Sequence, residues 1–297
     1  MDWTIFQFLA PAIAASLIIA GIHAYLGLHV VERGVIFVDL SLAQIASLGA
    51  AIAVWRGVDA HDPLVYWMSL TFTLIGAFIF AMVKGKEAHI PQEAIIGISY
   101  AVASAAVILT LSKATGEAEH LQSMLVGNIL SVQWNEVLLT AGIYVIIGLF
   151  HYIFRQRFLD ISMDPDAVAA RGISVRFWDF LFYASFGLVV TRSVAIAGVL
   201  LVFCYLIVPS IGGMLFARRI GPRLAVAWIM GVVVSMLGMY FSVQFDLPTG
   251  AAIVCTFGLV LAAMAAVRPL FVRLGASGNA KFKMQNAKFK HEMTSPR

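Results

Sequence analysis

Apolar residues in this chain fall in long unbroken runs, not at the alternate positions of a half-buried strand or along one stripe of a surface helix. Such runs cover 8–31, 36–55, 64–83, 94–112, 136–154, 178–191, 194–217, 224–244 and 250–268. A helix of about 20 apolar residues crosses the hydrocarbon layer of a bilayer. Within that layer only a helix or a closed barrel satisfies its own backbone hydrogen bonds. The pattern predicts an all-α fold, a polytopic integral membrane helical bundle of about nine transmembrane helices. The 178–191 run is short because Asp179 and Arg192 bracket it, and it reads as a tilted or partial span. Treating it or the first run as re-entrant changes the number of crossings to about eight or ten. The first run, from Phe6 to Val31, is too long for the core of a signal peptide and lacks a basic leader, so a retained span is expected.

Charge adds an orientation. Of the 20 Lys and Arg residues, 17 lie on one set of alternating loops: Arg33, Lys84, Lys86, Arg155, Arg157, Arg171, Arg176, Arg218, Arg219, Arg223, Arg268 and the C-terminal tail. The opposite loops hold Arg56, Lys113 and Arg192, together with Asp2, Asp59, Asp62, Glu117, Glu119 and Asp246. Cations gather on the cytoplasmic side of membrane proteins, which puts the C-terminus inside and the N-terminus outside. Residues 1–272 read as the membrane domain, and 273–297 as a basic, disordered cytoplasmic tail with six Lys/Arg against one Glu. The net charge of +4 therefore belongs to the tail. That tail begins the unit Asn-Ala-Lys-Phe-Lys twice, at Asn279 and Asn286, and could touch anionic lipid or simply hang free.

Composition narrows the class. The chain is 61% hydrophobic and 12% charged, about half the charge of a soluble domain. A soluble enzyme, a nucleic-acid binder and a disordered scaffold are all excluded on that ground. Cys204 and Cys255 lie inside apolar runs and read as buried small hydrophobes, with no disulfide or thiolate-zinc spacing. The lone Gly85-Lys86 is followed by Glu87, so no phosphate-binding loop is present, and neither a His-Glu-x-x-His nor a Gly-x-Ser-x-Gly sequence occurs. A membrane protein without these constellations is expected to transport or to serve a membrane complex, not to catalyse.

The most informative polar stretch lies between the fifth and sixth runs. Asp164 suits a helix N-cap, Pro165 the first helical position and Asp166 the positive helix end. Ala167 to Arg171 favour helix, and Gly172 can adopt the left-handed stop. The spacing predicts a two-turn cytoplasmic helix with deliberate ends. Such an element can seat in a groove on another protein; an ordinary structured loop is the other reading.

These residues, Asp164-Pro165-Asp166-Ala167-x-Ala169-Ala170-x-Gly172-Ile173, resemble the cytoplasmic coupling segment of the zinc/manganese-type ABC importer permeases. Four further stretches resemble that family in order. They are Gly27-Leu28-His29-Val30-Val31-Glu32-Arg33, Ser123 to Leu130, Gly198-Val199-Leu200-Leu201 through Leu206-Ile207-Val208-Pro209, and Asp246-Leu247-Pro248-Thr249-Gly250. The resemblance runs from about residue 10 to 270. It implies a membrane subunit, in two copies, that moves a divalent metal ion into the cytoplasm of a bacterium through its plasma (inner) membrane. Zinc or manganese would be the usual substrate, with iron a further option. A separate ABC ATPase subunit would consume the ATP, and an extracytoplasmic metal-binding protein would deliver the ion. No permanently bound cofactor is implied. Asp164, Pro165, Asp166, Ala167, Ala170 and Gly172 would couple to the ATPase.

The pattern departs from the family at one place. Most members carry an Asp and, four residues later, a His in the second span. Here the gapless match from Arg33 to Gly49 puts Leu40 and Gln44 at those positions, with Asp39 one residue earlier. Gln offers an oxygen but no imidazole, which weakens the usual coordination. Asp39 and Gln44 lie about 140° apart round an ideal helix and can still both border a path. A carboxylate inside an apolar span is functional by default; a structural hydrogen bond or ion pair near the cytoplasmic rim is the alternative. Asp39, Gln44, Ser41 and His23 are the candidate path residues, with a satisfied core histidine the stronger reading of His23. At the outer mouth, Asp59, His61, Asp62, Glu117, Glu119 and His120 offer acids and imidazoles that can attract a cation or its delivering protein, or remain solvated loop charge. His89, His151 and His291 show no partner in the sequence.

Two other functions stay open. An ABC permease for a metal chelate would need a wider, less charged path, which the missing ligands favour. An ATPase-independent secondary metal transporter would need more intramembrane ionisable groups than Asp39, His23 and Asp179 supply, and no capped cytoplasmic helix.

Overall fold

The apolar runs become helices throughout the described part of the chain. The computed structural model describes residues 3–60, 62–83, 90–112 and 129–269. In chain order the helices are α1 (Trp3–Arg33), α2 (Val38–Trp55), α3 (Pro63–Val83), α4 (Gln92–Leu111), α5 (Trp134–Ile153), α6 (Arg155–Met163), α7 (Pro165–Ala170), α8 (Val175–Ala197), α9 (Val199–Phe216), α10 (Ile220–Phe245) and α11 (Thr249–Pro269). A short 3₁₀ turn, Ile129–Ser131, precedes α5. Nine of the described helices are long and apolar enough to cross a membrane. Their outer faces carry exposed Ile98, Val102, Ile108, Leu109, Leu138, Ile146 and Leu259, an apolar surface that only lipid or another apolar partner can cover.

The helices pack in two groups. α1 lies against α9 and α10, and α9 against α10; α2 lies against α3, α4 and α8, and α3 against α8. A continuous core joins them through Leu26, Val30, Leu42, Phe80, Phe182, Phe186 and Leu206. Small residues let backbones approach. An added Cβ at Gly27 would overlap the Leu206 carbonyl on α9, and one at Gly213 would overlap the Arg223 backbone on α10. Pro209 is accommodated inside α9. α8 stops and α9 starts at Gly198, whose φ of 79° and ψ of 160° suit only glycine. Asp246, left-handed at φ 51°, ends α10, and Ser242 ties the turn down by bonding the Leu247 carbonyl at 2.7 Å and Thr249 Oγ1 at 2.6 Å.

Three expectations are corrected. The 178–191 run is no partial span: α8 is a 23-residue helix with Asp179 and Arg192 inside it. Both charges are tolerated because each is partnered, Asp179 by the Arg33 guanidinium and Arg192 by Thr140 Oγ1 at 3.1 Å. His151 has partners after all, since it is buried between α1, α6 and α8. Cys255 is exposed on the outer surface of α11, while Cys204 is half-buried; in a bilayer an apolar run has a face for lipid as well as one for protein. The tail 273–297, Lys84, Lys86, His89, Lys113 and the motif residues Ser123–Asn128 lie outside the described residues.

Candidate functional site

α2 carries three of the candidate path residues. Its first turn holds Asp39, which is 2% exposed and whose Oδ1 accepts the Leu40 N–H at 2.7 Å. A carboxylate suits this place because a helix N-terminus presents free N–H groups and positive dipole. The same end is capped from α4, where Glu93 Oε1 accepts the Phe37 N–H at 3.0 Å. Ser41 is fully buried and its hydroxyl has no hydrogen-bond partner among the described residues. Gln44 is half-buried, on the stripe it shares with Leu40, Ser47 and Leu48. His23 is fully buried on α1, with Nδ1 donating to its own helix at the Ile19 carbonyl, 2.9 Å away, and Nε2 unpartnered among the described residues. No hydrogen bond joins Asp39, Gln44 and His23 among the described residues, and no three of His, Cys, Asp and Glu there converge on one point.

Beside α2 a cavity of about 350 Å³ opens between α2, α3, α4, α5 and α8. Ala43, Ser47 and Ala50 form its α2 wall, and Asp62, Tyr66, Glu136 and Arg192 supply its charged and phenolic lining. Small side chains on α2 leave this room, and a buried hydrogen bond of 3.0 Å between Thr73 and Thr191 hydroxyls closes α3 onto α8 next to it. Asp62 is exposed and caps α3 by accepting the Leu64 N–H at 2.7 Å; Asp59 is also exposed, in the preceding turn. His61, Glu117, Glu119 and His120 lie outside the described residues. Glu136 and Arg192 were missing from the sequence candidates. Arg192 interrupts a long apolar run and was readable as an intramembrane charge on that signal, whereas Glu136 follows a loop and carried none.

The coupling candidates form one compact element. Asp164 Oδ1 accepts the Ala167 N–H at 2.9 Å, Pro165 opens α7, and Gly172 follows at φ 76°. Val168 is buried and anchors α7, while Asp166, Ala169, Ala170, Arg171 and Gly172 are exposed. Ala169, Ala170 and Gly172 leave a low strip on the free face, beside the charged Asp166 and Arg171, that a groove can accept.

The opposite, buried side of this region holds a polar cluster. Arg33 Nε donates to Ser162 Oγ at 2.9 Å, and its Nη1 bonds Asp179 on α8. Ser162 spends its single proton on the Phe158 carbonyl, 2.8 Å away, so His29 Nδ1, 2.9 Å from the same oxygen, must donate. Ser185 likewise donates to the Leu181 carbonyl at 2.8 Å, so His151 Nε2 donates to Ser185 Oγ at 2.8 Å and leaves Nδ1 to accept from Tyr25.

The chain has relatives with this architecture. Residues 5–267 match the ABC 3 transport family. The manganese import system permease protein ScaB of Streptococcus gordonii is 24% identical over 257 residues, covering 86% of this chain and 89% of ScaB. The high-affinity zinc uptake system membrane protein ZnuB of Haemophilus influenzae is 26% identical over 254 residues, covering 84% and 93%. In structure the chain is similar to PsaBC from Streptococcus pneumoniae in complex with Fab, with a TM-score of 0.72 at 23% identity over 87% of this chain and 91% of that one. A match spanning nearly every membrane helix makes this chain a member of the ABC 3 transport family, a multi-pass membrane transport protein and not an enzyme.

Proposed function

We propose that this chain is the permease subunit of an importer that carries a divalent metal ion, manganese or zinc before iron, into the bacterial cytoplasm. Family membership over residues 5–267 carries the reading, and the names of the relatives support the choice of metal. Two copies stand over two ATPase subunits, with α7 of each copy docked on an ATPase. The basic loops and the tail face the cytoplasm of a cell whose plasma (inner) membrane the bundle spans. An extracytoplasmic binding protein delivers the ion to the outer loops that bear Asp59, His61 and Asp62 and Glu117, Glu119 and His120 in sequence. The ion then passes along α2, with Asp39 as the anionic stop, Ser41 and Gln44 as oxygen donors and His23 as a further polar group.

A second reading draws on one observation. The cavity of about 350 Å³ has small residues along its α2 wall and is larger than a bare ion needs, which suits a metal chelate.

Asp39→Ala is expected to reduce metal uptake by about tenfold or more, and Gln44→His to shift selectivity towards zinc by supplying an imidazole. Competition uptake of radiolabelled Mn²⁺, Zn²⁺ and Fe²⁺, free and as preformed citrate chelates, reads both. Unchanged uptake and unchanged selectivity in both variants would remove α2 from the path.

A further inference from the structure

The buried cluster on α1, α6 and α8 has no part in the path just described, yet it stands directly behind the coupling segment. α6 turns Phe158, Ile161 and Ser162 inward and leaves Arg155, Gln156 and Arg157 exposed. α7 follows after the single residue Asp164, buries Val168, packs against both α6 and α8, and is joined to α6 by Arg171 and Asp160 at 3.5 Å. Displacement of α7 therefore passes into the bundle through α6 as well as through its own contact with α8.

We propose that Arg33, Ser162 and Asp179 are positioning residues that fasten the coupling segment to α1 and α8, so that movement of α7 carries both spanning helices with it. The inference rests on the reading of α7 as the ATPase-docking element.

The Arg33 guanidinium is the node. It belongs to α1, donates through Nε to Ser162 Oγ on α6 at 2.9 Å, pairs through Nη1 with Asp179 on α8, and lies 4.1 Å from the centre of the Phe182 ring. The Arg33 and Asp179 side chains are 1% and 0% exposed. His29 adds a second bond from α1 to Ser162 at 2.9 Å. From α5, the His151 ring stacks on Phe158 of α6 with centroids 4.3 Å apart.

An apolar interface here would hold the helices together but let them slide over one another. A forked guanidinium with directed bonds to two other helices fixes one relative position. Buried ion pairs add little net stability over a well-packed apolar pair, and specifying a single arrangement is their best-attested use. The neighbouring Glu32 pairs with Arg223 at the start of α10, so the end of α1 is tied to a third spanning helix as well.

The experiment uses the full chain assembled with its ATPase subunit in proteoliposomes. Wild type, Arg33→Met/Asp179→Leu, Ser162→Ala and Asp179→Glu are compared for co-purified ATPase, ATP hydrolysis and radiolabelled Mn²⁺ and Zn²⁺ taken up per ATP. The Met/Leu double variant removes both charges and so avoids stranding one. It is expected to assemble and to hydrolyse ATP within about twofold of wild type, while uptake per ATP falls at least about fivefold. Ser162→Ala falls in the same direction by less, and Asp179→Glu, which keeps the pair, retains coupling. Unchanged uptake per ATP in the double variant overturns the inference. So does a loss of uptake that only tracks a loss of assembled complex, which would make the cluster structural. Failure of the wild-type chain to assemble with an ATPase overturns the docking reading beneath it, and shows before any variant is compared.

Discussion

Ala170→Trp and Gly172→Glu are each expected to abolish metal uptake and co-purification of the ATPase subunit while the chain still inserts in the membrane. Ala170 and Gly172 are exposed on the free side of α7, so the isolated permease has room for the new side chains. A partner groove shaped to an alanine-sized surface does not. Loss of a central docking contact costs about 2–4 kcal/mol, and at 1.4 kcal/mol per decade this weakens association by about 30- to 700-fold. Glu at position 172 carries a second penalty, because a left-handed backbone at φ 76° disfavours any side chain by about 1–2 kcal/mol. Pull-down from solubilised membranes, with total membrane-inserted chain measured in parallel, separates docking from insertion. Normal uptake in either variant would remove α7 from the ATPase interface.

Arg33→Met alone is expected to destabilise the bundle by about 3–5 kcal/mol, because it takes the guanidinium from a carboxylate that stays buried. Asp179 is 0% exposed, so water cannot replace what is lost. The guanidinium also leaves the Phe182 ring and Ser162. Replacing Asp179 by Leu as well should recover most of that loss, since no charge remains to be solvated. Thermal unfolding of the purified chain in detergent reads both variants side by side. Equal destabilisation by the single and the double variant would mean that packing at these positions, not charge, holds α1 to α8.

Much of the fold was legible because its signals are local. A run of about 20 apolar residues is its own evidence for a spanning helix; seven of the nine runs match spanning helices among the described residues to within four residues, while the break between the sixth and seventh falls at Gly198, later than the runs place it. The ends of α7 were legible for the same reason, since Asp164 caps Ala167 three residues away and Gly172 needs no partner to turn left-handed. Groups whose partners lie far along the chain were not. Asp179 and Arg192 made α8 look too short because a charge in an apolar run marks a boundary unless its partner is known. Asp179 finds Arg33 146 positions away, and Arg192 finds Thr140 52 positions away. His151 carries no local signal for the same reason, its contacts being Tyr25 on α1 and Ser185 on α8. The resemblance in the segment from Gly27 to Arg33 acquires a physical basis only in the fold. Gly27 admits the Leu206 carbonyl, and Arg33 reaches α6 and α8.

The α2 residues show the reverse case. The sequence singled out Asp39 because an intramembrane carboxylate is costly, and the structure gives that carboxylate a local reason to be there, at the N-terminal turn of α2. A helix-capping role and a place on an ion path are compatible, since a carboxylate that accepts one N–H keeps lone pairs for a passing cation.

On the proposed function, ATP consumed by a separate subunit drives a divalent metal ion through this chain. Uptake of radiolabelled Mn²⁺ and Zn²⁺ into proteoliposomes tests it most directly, with chain and ATPase reconstituted together, the metal-loaded binding protein outside and ATP enclosed. Accumulation of at least one of these metals that requires enclosed ATP and stops when the ATPase subunit is omitted is the predicted result. Metal accumulation that proceeds without the ATPase, or no accumulation of either metal with every component present, would contradict it.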